Sequence, residues 1–384
     1  MKSLRDFKTV KDRRDYIEKL TNVHLKNIGS FTLDEKMASS KNCENMIGIA
    51  QVPMGIAGPL RVKRRASSVK EYYIPLATTE GALVASVNRG CKAISEVNTY
   101  AYRVGTTRGP VFYVGTLDNQ KKLYDWIKNN QSVIKKAAES TSQHIKYKKS
   151  EVTGTASYVF IRFYFDTQDA MGMNMVTIAT QNIVSVIEEE TGFKCLSVAG
   201  NFDIDKKPAW LNMIAKRGIK AWAEAAVDKN TVKAVLKTTS DDIYKVWLGK
   251  CMIGSALAGS MGFNAHFANV VAGIFAATGQ DIAHVVEGSM GITTTEVTKE
   301  GDLYISVYLP DLMLGTVGGG TALGTQKEAL ELLGVYGGND GNNAMKFAEI
   351  VAGSVLAGEL SLLASFSQGS LAAAHRKLGR GEKI

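Results

Sequence analysis

The sequence of 384 residues lacks a CxxC pair: its four cysteines, Cys43, Cys91, Cys195 and Cys251, stand far apart. That spacing indicates neither a zinc site nor a disulfide framework, and it fits a reducing cytoplasm. No secretory signal is evident, because MKSLRDFKTVKDRRDYIEKL is charged throughout and contains acids, unlike a transit peptide. Tandem repeats, low-complexity tracts and RNP, KH or helix-turn-helix patterns are also missing. Charge itself is lacking from Cys251 to Gln280. At about 20 residues per span, that run is long enough to cross a bilayer. However, Asn264, His266 and Asn269 fall in its middle, where amide and imidazole groups would be expensive in lipid. The run therefore reads as a helix buried in a soluble core, with a polar stripe turned toward a site.

What is present describes a soluble globular protein of about two or three domains, 22% charged and 45% hydrophobic. Its 37 glycines concentrate after residue 250. The net charge of +9 is uneven, and residues 121–149 hold eight lysines against Asp125 and Glu139. Such a surface suits nucleic acid, a membrane face or a phosphorylated small molecule, or is simply a solvated helix face. VPMGIAGPL (52–60) reads as a Gly/Pro-rich loop, and TTEGALVASVNRGCKAI (78–94) as a helix capped by Thr78 or Thr79. Between 110 and 197, strand, lysine-rich helix (119–139), strand (157–167), helix (172–192) and strand (194–200) describe a small α+β unit inserted into a larger domain. A strand at 302–309 and a long helix or helix pair at 347–377 follow.

Several stretches carry chemistry with a bland reading beside each. FDIDKKPAW (202–210) is either a solvated turn or a loop presenting a lysine. GTVGGGTALG (315–324) has dinucleotide-like glycine spacing without the strand context that such a fingerprint needs, so only backbone approach to a ligand or a tight turn is inferred. DAMGMN (169–174) leads into a helix whose free N–H groups suit an anion, although two methionines are ordinarily core filler. His375 closes an apolar helix, where the dipole alone favours histidine. Glu80, Asp281 and His266 lie in uncharged surroundings, and burial there would raise a carboxyl pKa toward that of a general acid.

Taken in order, ENMIGIAQVPMGIAGPL (44–60), TTEGALVASVNRGCKAI, DAMGMN, DKKPAW (205–210), GFNAHFANVV (262–271), GQDIAHVVEGS (279–289), GTVGGGT (315–321) and AGELSLLASFSQGSLAAAH (357–375) resemble the 3-hydroxy-3-methylglutaryl-coenzyme A (HMG-CoA) reductase family, in its class I archaeal and eukaryotic type. The resemblance covers nearly the whole chain from about residue 40. It implies an α+β fold: a large mixed helical and sheet domain (44–109 and 198–375) around a long buried helix. A small ferredoxin-like NADP-binding domain (110–197) is inserted in it, with an N-terminal helical segment (1–43) and a basic tail (376–384). The implied reaction is two-step, four-electron reduction of (S)-HMG-CoA to (R)-mevalonate by NADPH, releasing coenzyme A, in isoprenoid biosynthesis.

By that resemblance Lys206 stabilises the oxyanion, Glu80 delivers protons to the carbonyl, Asp281 links the two, and His375 protonates the coenzyme A thiolate. Arg108, Asp205, Lys207, Lys250 and Asn269 match residues on the substrate's carboxylate and hydroxyl groups, and Ser86, Asn88 and Arg89 match residues near coenzyme A. Asp169, Met171, Gly172, Met173 and Asn174 match the nicotinamide-cofactor loop. Gln143 replaces an arginine that binds the 2′-phosphate in animal members. Ser142, His144, Lys146 and Arg380 are therefore assigned to that phosphate, and NADH is left open. Ala199 replaces a substrate-binding serine, and Gly381 takes the place of a regulatory phosphoserine, which excludes that control. The implied assembly is a homodimer with shared sites, with a dimer of dimers as a further step. The Lys206 loop then comes from the neighbour of the subunit supplying Glu80 and His375. No metal, nucleic-acid or membrane partner is implied, and the location is cytoplasmic, without the membrane domain of eukaryotic members. The rival readings are another coenzyme A-dependent or NADP-dependent enzyme, and a nucleic-acid binder using residues 121–149.

Overall fold

The computed structural model describes residues 3–64 and 68–369; His375, Arg380 and Gly381 lie outside them. One helix organises the rest. Asn342–Ser367 runs 26 residues, and Phe347, Ile350, Val351, Val355, Leu356, Leu360 and Leu363 are all fully buried on it. A helix apolar on every side needs protein on every side. It is long and apolar enough to cross a membrane, yet 78% of its most apolar window is buried inside the protein. Its two acids are each answered: Glu349 pairs with Arg64, and Glu359 accepts from Ala265 N (2.8 Å), His266 N (2.7 Å) and Thr293 Oγ1 (2.6 Å).

The sheet wraps this helix. Its large part has the order β2 (Lys70–Ala77), β1 (Met54–Arg64), β3 (Val97–Arg108), β8 (Arg217–Val227), β10 (Leu303–Leu312), β9 (Ile292–Val297), antiparallel except for β1 with β3. β3 is shared between two sheets. Residues 98–105 pair with β8; the register shifts near Gly105 (φ +126°), and Thr106–Arg108 pair with β6 (Tyr158–Asp166). The second sheet runs β5 (Lys146–Gly154), β6, β4 (Val111–Tyr113), β7 (Lys194–Ser197), all antiparallel. With helices after β4 and after β6, this is the β-α-β-β-α-β arrangement of ferredoxin-like units. It has its own core, including Phe112, Ile134, Val159, Ile161, Phe163, Val176 and Ile183.

Several elements differ from the sequence expectation. VPMGIAGPL is not a loop but the start of β1; Gly58 and Pro59 sit at a register shift between Ala57 and Leu60. The helix expected over 78–94 begins only at Leu83, because Ala82 is left-handed (φ 81°), and Thr78 caps only the turn before it, accepting from Glu80 N at 2.9 Å. The lysine-rich helix is two, Leu117–Asn129 and Gln131–Glu139, broken at Asn130. β5 was hidden in the basic run: as an edge strand paired only with β6, KYKKSEVTG carries lysines that discourage further pairing. The charge-free run is split by left-handed Gly259, leaving Phe267–Thr278 as its buried helix.

The helix Leu83–Ala93 approaches the central helix through Gly90. A Cβ there would lie 1.9 Å from the Ala357 carbonyl oxygen, so two backbones would have to separate. Gly90→Ala should destabilise the fold by about 3 kcal/mol, the upper range for an overpacked core, measured by denaturant unfolding. A stability unchanged from wild type would show that the helices are free to part.

Candidate active site

The DAMGMN loop is anchored from beneath. Asp169 is buried, its Oδ2 accepting from Asn339 N (2.5 Å) and Gly341 N (2.8 Å) and its Oδ1 from Ala344 N (2.9 Å). It therefore caps the central helix, where a carboxylate satisfies otherwise orphaned N–H groups. The chain then turns at left-handed Gly172 into the helix Met173–Thr191. Met171 O accepts from Thr106 Oγ1 (2.8 Å), and Asn174 is exposed in the first turn. Beside this loop, Ala170 bridges Val317, and Gly318 and Gly319 adopt positive φ with open space around them. Helix N-terminal N–H groups thus stand beside bare backbone, an arrangement that fits a phosphate-bearing cofactor. Ser142, His144 and Lys146 lie beside Gln168 and Asp166, which precede this loop. His144 Nδ1 is 3.1 Å from Gln168 Oε1, Ser142 Oγ accepts from His144 N, and Lys146 pairs in register with Asp166.

The DKKP loop is held in an uncommon conformation. Asn201, Ile204 and Lys206 all have positive φ (63°, 56° and 57°), which is rare for a β-branched residue such as Ile204. Hydrogen bonds hold it: Lys206 N donates to Glu287 Oε1 (3.2 Å), and Asn212 Nδ2 donates to Ile204 O and Lys207 O. Behind the loop lies fully buried Arg217, donating to Asp205 Oδ1 (2.7 Å), Glu287 Oε1 (2.8 Å) and Thr107 Oγ1 (2.8 Å). Arg108 is set by Thr177 Oγ1 (3.0 and 2.8 Å) and Asp203 (3.1 Å), with Asp205 at 3.7 Å. In front, Lys206 Nζ pairs with Asp281 Oδ2 at 2.7 Å, while Lys207 Nζ donates to Asp205 O.

This environment reverses one expectation. Burial works to raise the Asp281 carboxyl, but the Lys206 hydrogen bond and the nearby His284 outweigh it, so the carboxyl titrates below its ordinary range. Asp205 behaves alike: burial is outweighed by Arg217, His284 and Arg108. Asp311, buried with neither oxygen hydrogen-bonded among the described residues, is by contrast pushed up to about 7, and burial also raises Glu349. Sequence reasoning missed Arg217, His284, Glu287, Asp203 and Asp311. Arg217 lies in AKRGIK, which belongs to none of the motifs singled out, whereas His284 and Glu287 stood within GQDIAHVVEGS, three and six residues after Asp281. Asp205, His284 and Glu287 offer ligand atoms within 4.8 Å of one another, but Arg217 already pairs with two of the three, so no metal is assigned.

The remaining predicted residues gather elsewhere. Glu80 is exposed and accepts from Asn269 Nδ2 (3.2 Å) at the start of the Phe267–Thr278 helix. Ser86 Oγ meets Ser361 Oγ (3.0 Å); Arg89 donates to Ser361 Oγ (3.0 Å) and Ser365 Oγ (2.5 Å). Asn88 Oδ1 accepts from Gly58 N (3.0 Å), and Lys250 lies 4.8 Å over the Phe366 ring. All except Asn88 touch the last turns of the central helix or the start of Phe267–Thr278. Asp281, by contrast, follows the other end of that second helix. From Asn269 to Thr278 is about 14 Å of helix, and from Ala344 to Ser365 about 32 Å. Within one chain, Lys206, Asp281 and the cofactor loop therefore stand at one end of the helices, and Glu80, Asn269, Arg89 and Lys250 at the other.

A family model for hydroxymethylglutaryl-coenzyme A reductase matches residues 9–380. The chain is 48% identical to the 3-hydroxy-3-methylglutaryl-coenzyme A reductase of Methanothermobacter thermautotrophicus, over 97% of this chain and 94% of that one. It is 50% identical to that of Methanocaldococcus jannaschii (96% and 92%), and 41% identical to that of Catharanthus roseus (97% and 63%). In fold it is similar to the class II reductase of Streptococcus pneumoniae solved with NADPH, with a TM-score of 0.70, 17% identity, and 94% and 97% of the two chains covered.

A depressed carboxyl pKa stabilises the folded state above the unfolded value, near 4. That contribution fades as pH falls toward the folded value. Asp205→Asn should therefore lower the melting temperature at pH 7 by more than it does at pH 3. An equal deficit at both values would mean that Asp205 contributes through shape alone.

Proposed function

The chain belongs to the hydroxymethylglutaryl-coenzyme A reductase family, in its class I type, and from that premise we propose how its residues divide the reduction of HMG-CoA to mevalonate by NADPH. Hydride addition to the thioester carbonyl creates an oxyanion. Lys206 supplies the ammonium that stabilises it, worth several kcal/mol in a site that excludes water. The observation that carries this role is the 2.7 Å pair with Asp281, on a loop held by Glu287 and Asn212. Arg108, Asp205 and Lys207 hold the substrate's carboxylate and hydroxyl from the same side. Glu80, hydrogen-bonded by Asn269, delivers protons to the carbonyl oxygen, and Asn269 and Lys250 join Arg108, Asp205 and Lys207 in holding the substrate's carboxylate and hydroxyl. Ser86, Asn88 and Arg89 face coenzyme A, and His375, beyond the described residues, protonates the departing thiolate. The positive charges come from Lys206, Arg108 and Arg217, so the reading gives no role to a metal.

Met171, Gly172, Met173 and Asn174 bind the nicotinamide cofactor, which supplies hydride. Asp169 contributes by fixing that loop to the central helix. Ser142, His144, Lys146 and Arg380 take the 2′-phosphate in place of the arginine replaced by Gln143, which favours NADPH over NADH. The units proposed for these tasks are 110–197 for NADP, 44–109 with 198–375 for substrate and coenzyme A, and 1–43 and 376–384 as flanking segments. Two separate apolar cores support that division. Four free cysteines support a cytoplasmic location.

The distance between the two residue groups supports a homodimer, in which the Lys206–Asp281 group of one subunit closes on the Glu80–Asn269 group of its partner. A dimer of dimers is compatible with the same contacts. Purified protein given HMG-CoA should oxidise two NADPH per coenzyme A thiol released, with higher kcat/KM for NADPH than for NADH. NADPH oxidation without thiol release would refute the reductase assignment, and an NADH preference would refute the phosphate contacts.

Subunit sharing has its own test. Lys206→Ala and Glu80→Gln should each be nearly inactive, whereas refolded or co-expressed mixtures should regain about a quarter of wild-type activity. Half the dimers would be mixed, and each mixed dimer would hold one intact site of two. Mixtures as inactive as the separate variants would place the whole site within one chain.

A further inference from the structure

His284 is fully buried, and its imidazole is fixed at one nitrogen only. Nδ1 lies 2.7 Å from Glu287 Oε1, an oxygen that also accepts from Arg217 Nη1 (2.8 Å) and Lys206 N (3.2 Å). An oxygen collecting that many donors is an acceptor, so Nδ1 carries a hydrogen and donates it. The second nitrogen, Nε2, is buried without a hydrogen-bond partner among the described residues. It faces two carboxylate oxygens, Asp281 Oδ2 at 3.7 Å and Asp205 Oδ1 at 3.9 Å. A lone pair turned toward two anions is repelled, whereas an N–H is attracted. The shared atom matters most. Asp281 Oδ2 is the same oxygen that Lys206 Nζ holds at 2.7 Å, while Asp281 Oδ1 is taken by Ala283 N at 3.1 Å.

We propose that His284 is a positioning residue for the reduction, with Nε2–H standing as the alternate partner of Asp281 Oδ2 when Lys206 turns to the substrate oxyanion. The proposal rests on the reductase reading and extends it. As the oxyanion forms, one ammonium lies between two negative oxygens. If it moves toward the substrate, Asp281 is left with a carboxylate oxygen in a partly buried site and no hydrogen-bonded cation. A donor 3.7 Å away, on a rigid ring fixed by Glu287, needs to close by less than 1 Å to reach hydrogen-bond distance. No bond is made or broken in this step. The negative charge of Asp281 changes partner, and Lys206 is released to stabilise the reacting oxygen.

Two substitutions separate this role from a structural one. The Asn amide reaches about as far as Nδ1, so His284→Asn keeps the donor to Glu287 and leaves nothing facing Asp281. The Gln amide reaches about as far as Nε2, so His284→Gln keeps a donor toward Asp281 and gives up the bond to Glu287. His284→Asn should lower kcat roughly 10–100-fold, the loss seen when the outer partner of a reacting group is removed. KM for NADPH should stay within about twofold, because the hydrogen-bond and ion-pair partners of His284 are Glu287, Asp205 and Asp281 and not the loop proposed for the cofactor. His284→Gln should recover most of that kcat. The opposite order, with Asn active and Gln slow, would assign His284 to holding Glu287 alone. Equal activity, or equal loss in both, would also overturn the proposal. Should both variants fail to fold, neutron diffraction on the wild type decides it: a deuteron on Nε2 directed at Asp281 upholds the assignment, and a bare Nε2 refutes it. Wild-type turnover of HMG-CoA is measured alongside, so a failure of the reductase reading appears there and not in the comparison of variants.

Discussion

A helix buried on all sides constrains everything else in this protein. Asn342–Ser367 has no face to give to solvent, so strands β1, β3, β8 and β10 and the helices Leu83–Ala93, Ser240–Trp247 and Phe267–Thr278 must cover it. Covering the sides leaves the ends, where backbone N–H and C=O groups lack partners within the helix. At the N-terminal end that need is met by Asp169, and the loop carrying Asp169 is the one proposed to hold the cofactor. At the other end, Ser361 and Ser365 engage Ser86 and Arg89, residues proposed to face coenzyme A. The length of the core helix thus sets how far apart the two kinds of binding residue stand.

The second constraint is electrostatic. Arg217 and Glu287 are fully buried, and charges so placed persist only when paired. Arg217 answers Asp205 and Glu287 together, and Glu287 in turn holds the backbone of Lys206 and the ring of His284. Left-handed Ile204 and Lys206 are tolerated because this buried set over-determines the loop. Proline at 208 contributes, since it restricts Lys207, but the hydrogen bonds from Asn212 and to Glu287 are what fix Lys206.

Much of this was legible in the sequence, and the exceptions have physical causes. Periodic apolar spacing located the helix Met173–Thr191, bounded by left-handed Gly172 and Gly192, and alternation located β6 almost to the residue. The strand β5 was not legible, because an edge strand with solvated lysines looks like any charged run. Nor was the start of β1, where Gly58 and Pro59 mark a register shift within a strand and not a loop. Among site residues, Lys206 and Asp281 were legible through their motifs, and the structure pairs them. Asp169 stood in the loop that the resemblance assigns to the cofactor, yet its oxygens are taken by N–H groups at the N-terminal end of the central helix, a long-range partnership that no local pattern encodes. The expected rise in carboxyl pKa failed for Asp281 for the same reason. Its partners come from 75 residues earlier in the chain and from three residues later, and only the second is local.

These constraints bear on why the site would be divided between subunits. A lone chain leaves Glu80 exposed with Asn269 as its hydrogen-bond partner, and Lys206 bound to Asp281 with both side chains about one-third exposed. In that state water screens the pair, and an ammonium in water has little power over an oxyanion. Closing a second subunit over it would remove that water, strengthening the field of Lys206 without moving it within its own chain. The same closure would bring a proton donor whose own chain holds it a helix-length from the lysine. Desolvation and assembly of the acid–cation pair would then be one event, so that reductive power would appear only where two folded chains meet.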